Sequence, residues 1–170
     1  RFIPALEDLS SRAKVYYTGV GLEVDQEIDG SDRVLSPSDF GLHNCVKSPE
    51  GLVFLDLEYF GWDDPAKLIS DFVLHPAQAV VGESRYRVAG RMIELFRDRP
   101  GFADRLRALL PLFALEWCMI VLNEFLAGEN ARRAFAGLDD DHESVLRRQL
   151  GLAEAMLERA RGDIVSRLIE

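Results

Sequence analysis

Asp39, Asn44 and Asp56 are the residues whose types and spacing are best suited to chemistry. They lie within residues 36–65, whose sequence is SPSDFGLHNCVKSPEGLVFLDLEYFGWDDP. Carboxylate and amide oxygens are hard ligands that suit Mg²⁺, which is held by few protein groups together with substrate phosphates. A carboxylate can also orient an attacking hydroxyl and accept its proton. These residue types therefore point to metal-assisted phosphoryl transfer.

A β-hairpin is expected to bring the three residues together. Residues 44–47 predict a short strand, residues 48–51 (Ser-Pro-Glu-Gly) predict a turn, and the apolar residues 52–55 predict the partner strand. A hairpin places the residues before its first strand beside the residues that follow its second strand. The three polar side chains should therefore converge on one spot.

This arrangement resembles the catalytic core of the aminoglycoside phosphotransferase and choline kinase family, whose members have a protein-kinase-like fold. Members carry a loop of the form HxDxxxxN, then a hairpin, then a strand that ends in a metal-binding Asp. Asp39 and Asn44 match the loop, and the segment LDLEYFGWDDPAKLISDF resembles the family's second motif, Asp-x-Glu followed by Gly-x-x-Asp-Pro. The later segment LFALEWCMIVLNEF resembles the substrate-side helices, so the likeness spans most of the chain.

The resemblance implies a role for each matching residue. Asp39 would be the catalytic base, and Asn44 and Asp56 would bind Mg²⁺ and, through it, the phosphates of ATP. Glu58 would be a further carboxylate near the metal. The resemblance further implies an α+β, mostly helical fold class, with residues 1–170 forming a single domain that corresponds to the C-terminal lobe.

The implied activity is ATP-dependent transfer of the γ-phosphate to a hydroxyl of a small molecule in the cytoplasm. The acceptor stays open between a cationic molecule, such as an aminoglycoside or choline, and a sugar or other metabolite. Only 38 residues precede Asp39, and they predict helix and loop, with neither a glycine-rich strand pair nor a strand-borne lysine. We therefore expect the nucleotide-gripping N-terminal lobe to lie outside this chain, and the chain alone to be inactive.

Two positions depart from the family's loop. Pro37 replaces the histidine two residues before Asp39, and Ser38 replaces the glycine that follows it. That histidine is mainly a structural support in kinase-like folds, so its replacement weakens the match without removing the chemistry. His43 is not expected to take its place, and His75 is given no role.

Other polar and aromatic residues have simpler interpretations. Asp64 precedes a proline and predicts a helix N-cap rather than a metal ligand, while Asp63 could hold the loop by hydrogen bonds. Tyr59 and Trp62 could line a pocket for a cationic substrate, although packing on the surface is the favoured alternative. Trp117 is expected in the core.

Composition narrows the classes of protein that remain. The chain has 170 residues with a hydrophobic fraction of 48%, as in an ordinary globular domain. Its net charge of -9 argues against nucleic acid or an anionic membrane as the main partner. Its two cysteines, Cys45 and Cys118, indicate neither a disulfide scaffold nor a zinc site. The most apolar stretch, residues 108–122, contains Pro111 and Glu116 and predicts a buried helix.

Two functions of other classes compete with the phosphotransferase. One is a non-catalytic binding or scaffold protein derived from such a lobe, and the other is an all-helical interaction domain, which requires that no hairpin forms.

The remaining expected elements are a loop and six helices. The loop covers residues 24–38, and the first five helices cover residues 4–17, 65–74, 83–96, 102–126 (broken near Pro111) and 131–135. The acidic residues 139–141 are expected to cap a final helix that reaches Leu168.

Overall fold

The chain folds into an α+β arrangement dominated by helices. Its structure, a computed structural model, describes residues 1–78, 80, 82–126, 128, 141–162 and 164–169. The helices are α1 (Phe2–Gly19), α2 (Pro65–Leu74), α3 (Glu83–Phe96), α4 (Phe102–Val121), α5 (His142–Arg161) and α6 (Ile164–Ile169). The strands are β1 (Val34–Ser36), β2 (Cys45–Ser48), β3 (Gly51–Phe54) and β4 (Gly61–Asp63). Short 3₁₀ turns occupy Leu42–Asn44 and Leu122–Phe125.

Helix α4 is the centre of the core and packs against α1, α2, α5 and α6. It continues through Pro111, so the predicted break there is wrong. Leu110 and Ala114 on either side of the proline are fully buried, and their packing holds the helix together across it. By length and composition the segment Phe102–Phe125 could cross a membrane, but the core helix of a soluble protein passes the same test.

The predicted hairpin is confirmed. Strands β2 and β3 pair antiparallel, with Cys45 opposite Phe54 and Ser48 opposite Gly51. A second antiparallel pair, β1 with β4, was not predicted, because residues 24–38 were expected to be loop and no strand was expected after Asp56. Each of its strands has three residues, too few to show an alternating pattern.

Helix α2 carries one side of the site and begins as predicted. The Asp64 carboxylate accepts a hydrogen bond from the Ala66 N–H at 2.8 Å, and Pro65 occupies the first helical position. At the other end, Arg85 of α3 donates to the carbonyl of Val73 at 3.1 Å and to that of Gln78 at 3.0 Å. The first bond satisfies a carbonyl at the end of α2, and the two together fix the chain that leaves the helix.

The C-terminal helix differs from the prediction. Asp141 is its N-cap, as expected, and accepts a hydrogen bond from the Ser144 N–H at 3.1 Å. The helix does not run to Leu168, because it stops at Arg161 and a separate helix, α6, follows Gly162. The predicted short helix at residues 131–135 and the acidic residues 139 and 140 lie outside the described residues.

Candidate active site

The carboxylate of Asp39 is held by three side chains. Its Oδ1 lies 2.8 Å from Nε2 of His43 and 3.0 Å from Nε2 of His75. Its Oδ2 accepts a hydrogen bond from Nδ2 of Asn44 at 2.9 Å, and the same amide donates to the Asp39 carbonyl at 3.1 Å. Both partners of the amide are acceptors only, so its nitrogen must face Asp39. The carboxylate therefore has one fixed orientation.

The two imidazoles act on Asp39 as a stacked pair. Their ring centroids are 3.8 Å apart, the planes differ by 10°, and each side chain is 13% exposed. Nδ1 of His75 accepts the Ala77 N–H at 3.1 Å, so the neutral ring carries its proton on Nε2 and donates it to Asp39. Burial, together with the neighbouring His43, lowers the pKa of His75 to about 4, although Asp39 opposes the shift. His75 is thus a neutral donor at pH 7.

The pKa of Asp39 reflects these contacts. Burial raises it, but the hydrogen bond from His43, the proximity of His75 and the hydrogen bond from Asn44 together hold it below its usual value. Asp39 therefore stays ionised at neutral pH and accepts hydrogen bonds without donating one.

Asp39, His43 and His75 could also be considered as a metal-binding cluster, since their ligand atoms all lie within 4.8 Å of one another. The tautomer of His75 opposes this. A histidine that binds a metal offers one nitrogen's lone pair and usually donates a proton from the other nitrogen. In His75 the other nitrogen is an acceptor, so the nitrogen that faces Asp39 carries the proton. The cluster fits an oriented carboxylate better than a transition-metal site.

Packing from two elements positions the loop that carries Asp39. The ring of Phe40 stacks on Phe54 of β3 at 5.2 Å and lies 5.9 Å from Phe72 of α2. The buried side chain of Gln78 accepts the Leu42 N–H at 3.2 Å. The loop is thus held by packing against the hairpin and α2 and by a hydrogen bond to the segment after α2.

Asp56 follows the hairpin and comes back beside the loop. The Leu55 N–H donates to the Asn44 carbonyl at 2.9 Å, which extends the ladder by one pair and places the backbone of Asp56 next to that pair. Asp56 has φ of 58°, a left-handed conformation that turns the chain sharply at this residue. The side chains of Asp56 and Glu58 are exposed and are free of hydrogen bonds and ion pairs with the described residues.

The roles of two residues that contact Asp39 were not predicted from the sequence. His43 was not expected to support Asp39, and His75 was given no role, yet both contact its carboxylate. His43 lies four residues after Asp39, a spacing that could have been noticed. His75 follows α2 and could not be linked to Asp39 without the tertiary fold.

The remaining sequence predictions have mixed outcomes. Trp117 is buried as expected, and its ring centroid also lies 4.6 Å from that of His75, with the two planes nearly perpendicular. Asp63 accepts the Asp64 N–H at 2.7 Å, the loop-holding role considered for it. Tyr59 and Trp62 are exposed on the surface. Whether they contact a cationic substrate stays a prediction.

Comparison of the chain with protein-family models, with curated proteins and with solved structures finds no match in any of the three. The motif residues and the geometry around Asp39 are therefore the features that bear on the function of this chain.

Proposed function

We propose that the chain is the catalytic C-terminal lobe of an ATP-dependent phosphotransferase that acts on a hydroxyl group of a small molecule. The observation that carries the proposal is the oriented carboxylate of Asp39, which lies beside Asn44 at the base of the hairpin that leads into Asp56. A non-catalytic scaffold, the competing function, gives no reason for three side chains to orient one half-exposed carboxylate.

Asp39 is the base in this proposal, and its Oδ2 is the atom that receives the proton. Two imidazoles fill both lone-pair positions of Oδ1, whereas Asn44 fills only one on Oδ2. The side chain is 37% exposed, so an acceptor hydroxyl can reach the open position. As the hydroxyl oxygen bonds to the γ-phosphorus, its proton passes to Oδ2 and the bond from phosphorus to the bridging oxygen breaks, releasing ADP.

Asn44 and Asp56 are the residues that would hold Mg²⁺, with Glu58 close in the chain. The donor set fits this ion, since the available atoms are carboxylate oxygens and the Asn44 Oδ1, whose amide nitrogen already faces Asp39. When bound, the ion would neutralise charge on the phosphates. The left-handed turn at Asp56 directly follows the last pair of the ladder, so the backbone of this residue lies beside Asn44.

An exposed apolar surface supports the proposal that a second lobe packs against this chain. Eleven large apolar side chains within residues 35–62 are exposed, and we call them the sheet surface. They are Leu35, Leu42, Val46, Leu52, Val53, Phe54, Leu55, Leu57, Tyr59, Phe60 and Trp62. A surface this apolar is typical of an interaction site. In the proposed enzyme it would face the nucleotide-gripping N-terminal lobe of the same protein.

Steady-state kinetics of the intact protein across a Mg²⁺ titration tests these assignments. Asp39→Asn should lower turnover by roughly 10²-fold or more, the scale for losing a general base, with nucleotide affinity nearly unchanged. Asp56→Asn should also weaken Mg²⁺-dependent nucleotide binding because it removes an anionic ligand, and Asn44→Ala should do so more mildly.

The matched control is Asp25→Asn, an exposed carboxylate in the segment that follows α1, which should leave turnover unchanged. His43 cannot serve as a control because it contacts Asp39. Wild-type turnover in Asp39→Asn would remove Asp39 from the role of base. Unchanged Mg²⁺ dependence in both Asp56→Asn and Asn44→Ala would remove those residues from the metal site.

A further inference from the structure

A cavity of about 500 Å³ lies away from Asp39, between α1, residues 22–32 and the first half of α4. Its volume falls in the range of small-molecule sites. Asp64, the N-cap of α2, lines the cavity, whereas His75, the C-cap of the same helix, contacts Asp39. The ten residues of α2 span about 15 Å. The cavity is therefore separate from the proposed catalytic site.

The floor of the cavity is apolar and belongs to the helices. Ala13 and Tyr17 of α1 and Leu109 and Leu112 of α4 line it, together with Leu22 from the connecting segment. Ala13 and Tyr17 pack against α4 in a small cluster of buried side chains, so this wall is fixed by the fold. It can accommodate an aromatic ring or a similar apolar body.

The rim of the cavity carries an excess of negative charge. Arg105 is paired with Asp64, with Nε 2.7 Å from Oδ2, so these two charges cancel. Glu23, Asp29 and Asp32 also line the cavity and form no ion pair with the described residues, and the remaining cation on the wall is Lys14. Hydrogen bonds from Ser31 lower the pKa of Asp29, so this carboxylate is ionised at neutral pH.

A buried donor on the wall also lacks a partner. The Arg105 side chain is 13% exposed, and its Nη2 is buried without a hydrogen-bond acceptor among the described residues. Its Nε and Nη1 are held by Asp64 and by the Pro100 carbonyl, at 2.7 and 2.8 Å. Because this nitrogen is closed to solvent, a ligand in the cavity does not reach it, and the other two nitrogens hold the Arg105 side chain in place as part of the wall.

We propose that this cavity binds a small organic cation that has an apolar body. The body lies on the helical floor, and the cationic nitrogen lies among the three carboxylates of the rim that form no ion pair with the described residues. This site does not depend on the phosphotransferase proposal, because Asp39 and ATP play no part in it.

Binding of three probes that share one body but differ in charge tests the proposal. The probes are tyramine (a cation), tyrosol (its neutral alcohol) and hydroxyphenylacetate (an anion), each titrated into the whole chain and followed by amide NMR shifts. Tyramine should bind about fivefold more tightly than tyrosol, the scale of a surface charge interaction, and the anion should bind most weakly. The shifts should cluster around Ala13, Leu22 and Leu112 and leave Asn44 unchanged.

A charge-removing variant provides the second measurement. Glu23→Gln combined with Asp32→Asn should abolish the preference for tyramine over tyrosol. Glu143→Gln combined with Glu154→Gln makes the same change of charge on α5 and should preserve the preference, with thermal unfolding verifying that both variants fold. Equal binding of all three probes, tightest binding of the anion, or no binding at millimolar concentration would overturn the proposal.

Discussion

At the scale of single residues, His75 links the core to the proposed base. One of its nitrogens accepts a backbone N–H, the other donates to Asp39, and its ring contacts those of His43 and Trp117. Protonation would turn Nδ1 from an acceptor into a donor facing the Ala77 N–H, so the folded protein disfavours the charged ring.

This arrangement predicts that the free energy of unfolding depends on pH through His75. The pKa of His75 is lowered from 6.5 to about 4 in the folded protein, first of all by burial. Between these values the unfolded chain binds more protons, so His75 lowers the free energy of unfolding as the pH falls. The loss should reach about 3 kcal/mol by pH 4.

Denaturant unfolding of the wild type and His75→Gln between pH 7 and pH 4 measures this effect. The wild type should lose more stability than the variant over the interval. Asp71 acts in the opposite direction, because burial raises its pKa to about 6, but it is present in both proteins and cancels in the difference. The same substitution at His142, in the first turn of α5, is the control. Parallel pH profiles for the wild type and His75→Gln would contradict the assigned protonation state.

At the scale of elements, the loop between β1 and β2 depends on one close approach. A Cβ at Gly41 would lie 2.6 Å from the ring of His43 and 2.6 Å from Nε2 of Gln78. Its φ of 174° is open to any residue, so the need for glycine here is steric rather than conformational.

Gly41→Ala should therefore destabilise the protein by roughly 1–3 kcal/mol, the usual range for inserting a methyl group into a packed site. It should also displace His43 from Asp39, because the ring is one of the two groups that must move. Gly30→Ala is the matched control, since its Cβ would meet nothing within 4 Å. Equal unfolding free energies for the two variants would show that the loop is loosely packed.

The elements that neighbouring residues specify were predicted correctly from the sequence. The cap and proline before α2, the turn between β2 and β3, and the bounds of α3 were all evident from neighbouring residues. The pairing of β1 with β4 and the contact of His75 with Asp39 join residues far apart in sequence, and no local pattern specifies them. The continuity of α4 through Pro111 was missed for the same reason, because tertiary packing overrides the local preference.

At the scale of the whole molecule, the helical core and the sheet surface behave differently. The core is continuous through α1, α2, α4, α5 and α6, so the chain should fold by itself. The described residues that precede Asp39 form α1, a connecting segment and β1, which gives no strand-borne lysine or glycine-rich pair to hold nucleotide phosphates. Phosphoryl transfer depends on positioning from both sides of the nucleotide.

The isolated chain should therefore unfold cooperatively but bind ATP more weakly than about 10 μM, which corresponds to roughly 7 kcal/mol. Circular dichroism during thermal unfolding and calorimetric titration with Mg²⁺ and ATP measure the two properties. Tighter binding would show that one lobe suffices to hold the nucleotide, and the assignment of the sheet surface to a second lobe would then be wrong.

The central claim is that Asp39 activates a hydroxyl for attack on the γ-phosphate, and phosphorus NMR of the intact protein with Mg²⁺, ATP and a set of small hydroxyl compounds tests it most directly. We predict loss of the γ-phosphate signal, equal formation of ADP and a new phosphomonoester, and a rate at least about 10²-fold lower in Asp39→Asn. Transfer at the same rate in wild type and Asp39→Asn, or no phosphomonoester with any acceptor, would contradict the account.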